Sequence, residues 1–230
     1  MEAKARNLIN HIAKLDEEEA LSLAKTILEN GAPGQDVLHY ALEGLQLVGQ
    51  KYENGGCYLS GLVMAGEIMR AIVDLIREIS PIQTEGGKAS GTIILGTIEG
   101  DIHDLGKDLV REVLQSHGFV IHDLGVDVAP EQFLAKSIQI QPDLVAISIL
   151  IRTCYPALSR AVNQIKTMIP AGFKRPGVII GGSAVDQVVF EHVKADIWCP
   201  DIMDVTTQCR EWLKGHNDIP TPKSLPSLVG

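Results

Sequence analysis

The sequence predicts an α/β protein in two parts: an N-terminal four-helix bundle, then a doubly wound parallel sheet of five strands with Rossmann-like, flavodoxin-like order. Three observations carry that prediction. Residues 1–80 repeat apolar side chains at helical spacing. Beyond residue 91, short apolar runs alternate with helical patterns, and the runs lack the in/out alternation of a half-exposed strand, which implies a sheet covered on both faces. Between the two regions lies "PIQTEGGKASG", residues 81–91, whose Pro, Gly and Ser mark an interdomain linker.

The elements follow in order. A first helix is expected over residues 3–15. Asp16 followed by Glu19 resembles a capping box opening a second helix, with Leu21, Ala24 and Leu28 on one face and Gly31 at its C-terminal cap. A third starts near Pro33, uses Val37, Ala41, Leu45 and Val48, and stops at Asn54-Gly55-Gly56. The fourth runs over 59–79, with Leu62, Ala65, Met69, Ile72 and Ile76 on one stripe, and ends before Pro81. Short loops between four helices favour a small antiparallel bundle. After the linker, strands are expected at 92–98, 119–121, 144–151 and 178–180, and helices at 105–117, 130–140, 156–168 and 184–194. A short fifth strand near Ile197, a helix ending near Lys214 and a proline-spaced irregular tail over 215–230 complete the chain.

Composition excludes several function classes. A formal charge of -9 without clustered Lys and Arg argues against a nucleic-acid partner. Strictly apolar runs such as 145–147 and 149–151 around Ser148 fall far short of the roughly 20 residues of a membrane helix. The N-terminal segment is amphipathic and acidic, unlike a signal peptide, so a cytoplasmic location is expected. Cys57, Cys154, Cys199 and Cys209 form no CxxC and no zinc spacing, as befits reduced thiols.

The segment "GTIEGDIHDLGKD", where the first strand gives way to its helix, carries the chemistry. Turns at the carboxyl ends of strands are where open α/β sheets bind ligands. This one is neither a GxGxxG fingerprint nor a P-loop. In an extended loop alternate side chains point the same way, so Asp101 and His103 can lie side by side while Ile102 faces the opposite direction. The carboxylate can then hold one imidazole nitrogen and leave the other as an outward-facing metal ligand. One histidine cannot hold a metal ion alone, so the metal would arrive within a macrocycle that leaves an axial position free. Gly106 removes a side chain where such a ligand would pass close to the backbone.

Asp101-x-His103-x-x-Gly106, then 41 residues, Ser148-x-Leu150 and later Gly181-Gly182 resemble the signature of the cobalamin-binding domain of corrinoid methyl carriers and methionine synthase. The segment "GAPGQDVLHYALEGLQLVGQKYENGGCYLSGLVMAGEIM" is similar to the helical cap that precedes this module, and the likeness covers about residues 3–213. The resemblance implies a helical cap domain over 1–80, a linker over 81–91 and a cobalamin-binding domain over 92–214. It implies cobalamin or a related corrinoid as cofactor, with His103 as lower axial ligand to cobalt and Asp101 orienting and polarising it. The nucleotide tail would insert near Gly106, Ser148, Leu150, Gly181 and Gly182; Ile102 and Thr153 would add contacts. Tyr58, Leu59 and Leu62 of the cap would cover the upper face. The cofactor does the chemistry: Co(I) accepts a methyl group and methyl-Co(III), as in methylcobalamin, donates it.

The implied function is a methyl carrier between a substrate-specific methyltransferase and an acceptor methyltransferase, with a reductive activator as a further partner, rather than a stand-alone catalyst. A corrinoid-binding sensor or the corrinoid-binding subunit of a mutase are the alternatives. The chain departs from the family pattern in three places. Thirty residues separate Leu150 from Gly181, with "PAGFKRPG" as the extra length; Arg152 stands where a small hydroxyl residue is common; and Cys154 replaces a serine that bonds the aspartate, for which Thr153 could substitute. Read without the family, Asp101 could cap the following helix with His103 in its first turn, and the glycine pair could make a tight strand-to-helix turn. Cys154 then reads as a small buried side chain.

Overall fold

The computed structural model describes residues 2–80 and 90–216. They form two compact units, one helical and one α/β. In the helical unit, α1 (Glu2–Ala13), α2 (Glu17–Glu29), α3 (Gly34–Glu53) and α4 (Leu59–Ile79) pack around Leu8, Ile12, Ile27, Leu38, Ile68, Met69 and Ile72, all buried. α1 lies against α2 and α3, and α4 closes the bundle against the same two helices. Gly44 permits the α1/α3 crossing, since a Cβ there would sit 2.7 Å from Ile12 Cβ.

The expected capping box is not formed. Asp16 occupies the N-cap of α2, but its side chain makes no cap hydrogen bond and instead accepts from His11 Nδ1 at 3.0 Å. Gly31, at φ +84°, follows that helix's C-cap and donates to Leu28 O at 2.9 Å.

The second unit alternates β1 (Gly91–Thr97), α5 (Leu105–Ser116), β2 (Phe119–Asp123), α6 (Pro130–Ile140), β3 (Leu144–Ser148), α7 (Tyr155–Thr167), β4 (Gly177–Gly181), α8 (Gln187–Val193), β5 (Ile197–Cys199) and α9 (Val205–His216). The sheet order is β2-β1-β3-β4-β5 and every pairing is parallel. This is the predicted flavodoxin-like order. β1, β3 and β4 are buried through most of their length, whereas the edge strands β2 and β5 are half-covered. α6, α7 and α8 share one apolar cluster with the central strands, and α5 contacts α9.

Boundaries shift where backbone partners change. β3 ends at Ser148, three residues before the apolar run does, because Leu150 N–H turns to the Asp101 carboxylate instead of a neighbouring strand. α8 starts at Gln187 rather than 184: Val185 N–H closes a turn on Gly182 O, and Asp186 then caps the helix by accepting from Val189 N–H at 2.8 Å. Of the expected linker, residues 81–89 lie outside the described residues, and Gly91 already belongs to β1. Residues 217–230 of the expected tail also lie outside them, and Gly215 and His216 continue α9.

Candidate functional site

In a 2-1-3-4-5 sheet the strand order reverses between β1 and β3, and the crevice beyond their carboxyl ends is the ligand position. The loops after β1, β3 and β4 bring together Asp101, His103, Leu150 and the glycine pair at that end.

Asp101 is wholly buried and Ile102 is 72% exposed, the alternation expected of an extended segment. Asp101 Oδ1 lies 2.7 Å from His103 Nδ1 and accepts the His103 backbone N–H at 3.1 Å. A carboxylate only accepts, so Nδ1 carries the proton in this pair. Asp101 Oδ2 accepts Leu150 N–H at 2.6 Å. Burial works to raise the Asp101 carboxyl, but the Leu150 N–H, the His103 ring and the His103 N–H outweigh it and hold it below its ordinary value. The aspartate is thus an ionised, buried anchor. His103 is half exposed, and its Nε2 has no protein partner among the described residues. Asp101 caps no helix, since α5 begins only at Leu105, beyond His103.

The supporting interactions come from side chains and backbone that spacing does not reveal. Buried Thr97 donates its hydroxyl to His103 O at 2.9 Å. Immediately after Gly106, Lys107 is 3% exposed and bonds Asp123 at 2.6 Å and Asp108 at 2.7 Å, while Arg111 reaches Asp123 at 2.7 Å. That network ties the first turn of α5 to the end of β2. Burial acts to raise the Asp123 carboxyl, but Lys107, the Gly125 N–H and Arg111 hold it below its ordinary value. Lys107 and Asp123 stand sixteen positions apart, and only the fold pairs them.

The two sets of glycines differ in kind. Beyond its chain neighbours and its own helix backbone, a Cβ on Gly106 would meet no atom of the described residues within 4 Å, so no packing contact among them requires glycine there. Gly182, at φ +114°, lies against the backbone of Ile149, and a Cβ would strike its carbonyl oxygen. Ile149 N–H in turn bonds Gly181 O at 3.0 Å. The tight-turn reading of the pair therefore holds for Gly182. Thr153 does not substitute for the missing serine: it is exposed, and the position it would take at Asp101 belongs to Leu150 N–H. Arg152 is also exposed, and Cys154 is a buried small side chain beside Gly100. In the helical unit, Tyr58 is 86% and Leu59 64% exposed, and with Val63 and Met64 they make an apolar surface at the start of α4; Leu62 is half-buried.

This arrangement fits a corrinoid. One outward imidazole nitrogen, fixed by a buried anion, can fill one axial position of a metal whose other ligands are its own ring. Among the described residues no group of three or more His, Cys, Asp or Glu side chains converges, so His103 would act as a single ligand. Open space at Gly106 leaves room for the ligand to approach the backbone.

Comparison with known proteins bears on the same residues. A B12 binding domain model matches residues 91–200, and a second B12 binding domain model matches residues 5–77. Trimethylamine corrinoid protein 2 of Methanosarcina acetivorans is 33% identical over 219 residues, 92% of this chain and 96% of that relative. The chain belongs to the B12-binding corrinoid proteins. Dimethylamine corrinoid protein 2 of the same organism is 30% identical over 85% of this corrinoid protein and 88% of its own length. The monomethylamine corrinoid protein of Methanosarcina barkeri shares the fold, with a TM-score of 0.80 over 89% of this corrinoid protein and 96% of its own chain, at 24% identity. Its cofactor is accordingly a corrinoid, and no helix among the described residues is long and apolar enough to cross a membrane.

Proposed function

We propose that this corrinoid protein is a cytoplasmic methyl carrier, loaded by a substrate-specific methyltransferase, unloaded by an acceptor methyltransferase and restored by a reductive activator. The contact between buried Asp101 and outward-facing His103 is the observation that carries the reading. A bound corrinoid supplies the cobalt on which the methyl group travels. His103 Nε2 would be the protein's ligand to that metal. Asp101 Oδ1 keeps the proton on Nδ1, which fixes the tautomer and enriches Nε2 as a donor. Leu150 N–H keeps Asp101 ionised, so the imidazole is oriented before the metal arrives.

Gly106, Ser148, Leu150, Gly181 and Gly182 would receive the tail of the cofactor, and Ile102 and Thr153 its rim. The helical unit would contribute the apolar side chains Tyr58, Leu59 and Leu62 to exclude water from the corrinoid. The names of the trimethylamine and dimethylamine relatives support a methylated amine as the methyl source. The test is transfer of an isotope-labelled methyl group. Reduced holoprotein is mixed with trimethylamine, dimethylamine or methanol and a matching methyltransferase. Label retained on the holoprotein and released to an acceptor methyltransferase supports the carrier. Label retained with no donor and methyltransferase pair contradicts it.

A further inference from the structure

The loop that carries His103 is held from two sides. On the β3 side, Ile98 N–H bonds Ser148 O at 3.1 Å and Leu150 N–H bonds Asp101 Oδ2. On the other side, the segment after β2 runs alongside it as an irregular extension of the sheet. Leu124 N–H bonds Leu95 O, Thr97 N–H bonds Gly125 O, Val128 N–H bonds Thr97 O, and Glu99 N–H bonds Val128 O, all within 2.8–2.9 Å.

Asp127 closes this second ladder where regular pairing stops. Its Oδ1 accepts Gly100 N–H at 2.7 Å, and its own N–H donates to Asp101 O at 3.0 Å. It thereby grips the residue before the aspartate and the aspartate itself. To do so it adopts φ +54°, in the left-handed region that asparagine, aspartate and glycine enter most cheaply. Gly100 is itself at φ +87°, so two left-handed residues face each other across the clamp. Backbone strain of this kind persists where the surroundings impose it.

We propose that Asp127 is a positioning residue for the axial histidine. Asp101 fixes the ring of His103 through its side chain, and Asp127 fixes the height of the Asp101 backbone from which the ring projects. Loss of the Asp127 carboxylate lets the loop rise and weakens the histidine's hold on the cobalt without removing any group that touches it. This rests on the corrinoid reading of His103.

Three variants separate the parts. Asp127→Asn keeps an acceptor and tolerates the left-handed backbone. Asp127→Gly keeps the backbone but removes the acceptor. His103→Ala removes the ligand. Each is produced with heavy-nitrogen-labelled histidine, reconstituted with hydroxocobalamin and reduced to the Co(II) form, and the fraction ligated by histidine is read from the electron paramagnetic resonance splitting of the labelled nitrogen, which differs from that of the cofactor's own unlabelled base. Amide hydrogen exchange over 99–103 is followed in the same apoproteins. The ratio of histidine-bound to histidine-free cobalt falls about fivefold in Asp127→Gly, the worth of one ordinary hydrogen bond, and exchange at 100–101 quickens. Asp127→Asn stays near wild type.

A wild-type ratio in Asp127→Gly, with the wild-type protein showing the labelled-histidine splitting that His103→Ala lacks, overturns the proposal and leaves the corrinoid reading standing. A wild-type protein without that splitting overturns both. An apoprotein of Asp127→Gly that no longer folds assigns Asp127 to fold stability and overturns the positioning role.

Discussion

Gly106→Ala should strengthen the apoprotein and weaken its hold on a corrinoid. Gly106 is the second residue of α5, with ordinary helical backbone and, beyond its own helix and chain neighbours, no atom of the described residues within 4 Å of the position a Cβ would take. The methyl group therefore meets nothing inside the chain, and alanine removes backbone freedom from the unfolded state. That change is worth about 0.4–1 kcal/mol, which in a domain of this size raises the melting midpoint by roughly 2–4 °C per kcal/mol. If the space beside Gly106 is where the cofactor approaches the backbone, the same methyl group intrudes on the ligand. Overpacking of that kind costs about 1–3 kcal/mol, a fall in affinity on the order of 5- to 150-fold. Thermal unfolding of the apoprotein gives the first quantity and titration with hydroxocobalamin the second. Unchanged or tighter corrinoid binding, with the stability gain present, would refute the reasoning, because the glycine would then have neither a structural nor a ligand-related cause.

Other expectations follow from the same geometry. Gly182→Ala should behave in the opposite way, destabilising the apoprotein by about 3 kcal/mol through left-handed strain and collision with Ile149, as measured by urea unfolding. Asp123→Asn leaves buried Lys107 with Asp108 as its carboxylate partner, and the loss of a charged hydrogen-bond partner should cost about 2 kcal/mol at neutral pH in the same assay. Because Asp123 has a folded value below its ordinary 3.8, its stabilisation is fully present above that value and is lost as the pH falls through the lower, folded value. The urea midpoint of Asp123→Asn should accordingly fall less steeply than wild type on acidification below pH ~4. Leu59→Asp, at an exposed position, should leave apoprotein stability within about 0.5 kcal/mol of wild type, and under the proposed cap role of Leu59 it should lower corrinoid affinity in a titration.

Element order and type were legible because apolar period distinguishes helices from buried strands, and α4 illustrates it: Ala65, Met69, Ile72 and Ile76 all reach the core. Element ends were less legible because they depend on distant partners. The run through Ile151 gives no sign that Leu150 N–H leaves the sheet for Asp101. Likewise Asp16 has the spacing of a capping box, yet His11, five residues earlier, takes its carboxylate. Within the site, the Asp101 and His103 spacing announced their contact, because two residues apart in an extended loop already places side chains together. Thr97, Asp127 and the Lys107 network were hidden. They act through a hydroxyl on a carbonyl, a left-handed backbone and a charge pair spanning sixteen positions, none of which leaves a local pattern. The suggested bond from Thr153 to Asp101 fails for a related reason: a backbone N–H can do the work of a hydroxyl, and every residue but proline carries one.

The most direct test of the account is the cobalt spectrum of the reconstituted protein before and after His103→Ala. Wild-type holoprotein carrying heavy-nitrogen-labelled histidine should show, in the Co(II) form, the splitting of the labelled nitrogen, and His103→Ala should bind the corrinoid more weakly and lack that splitting. Identical spectra from the two proteins would contradict the assignment of His103 as the ligand that holds the cobalt.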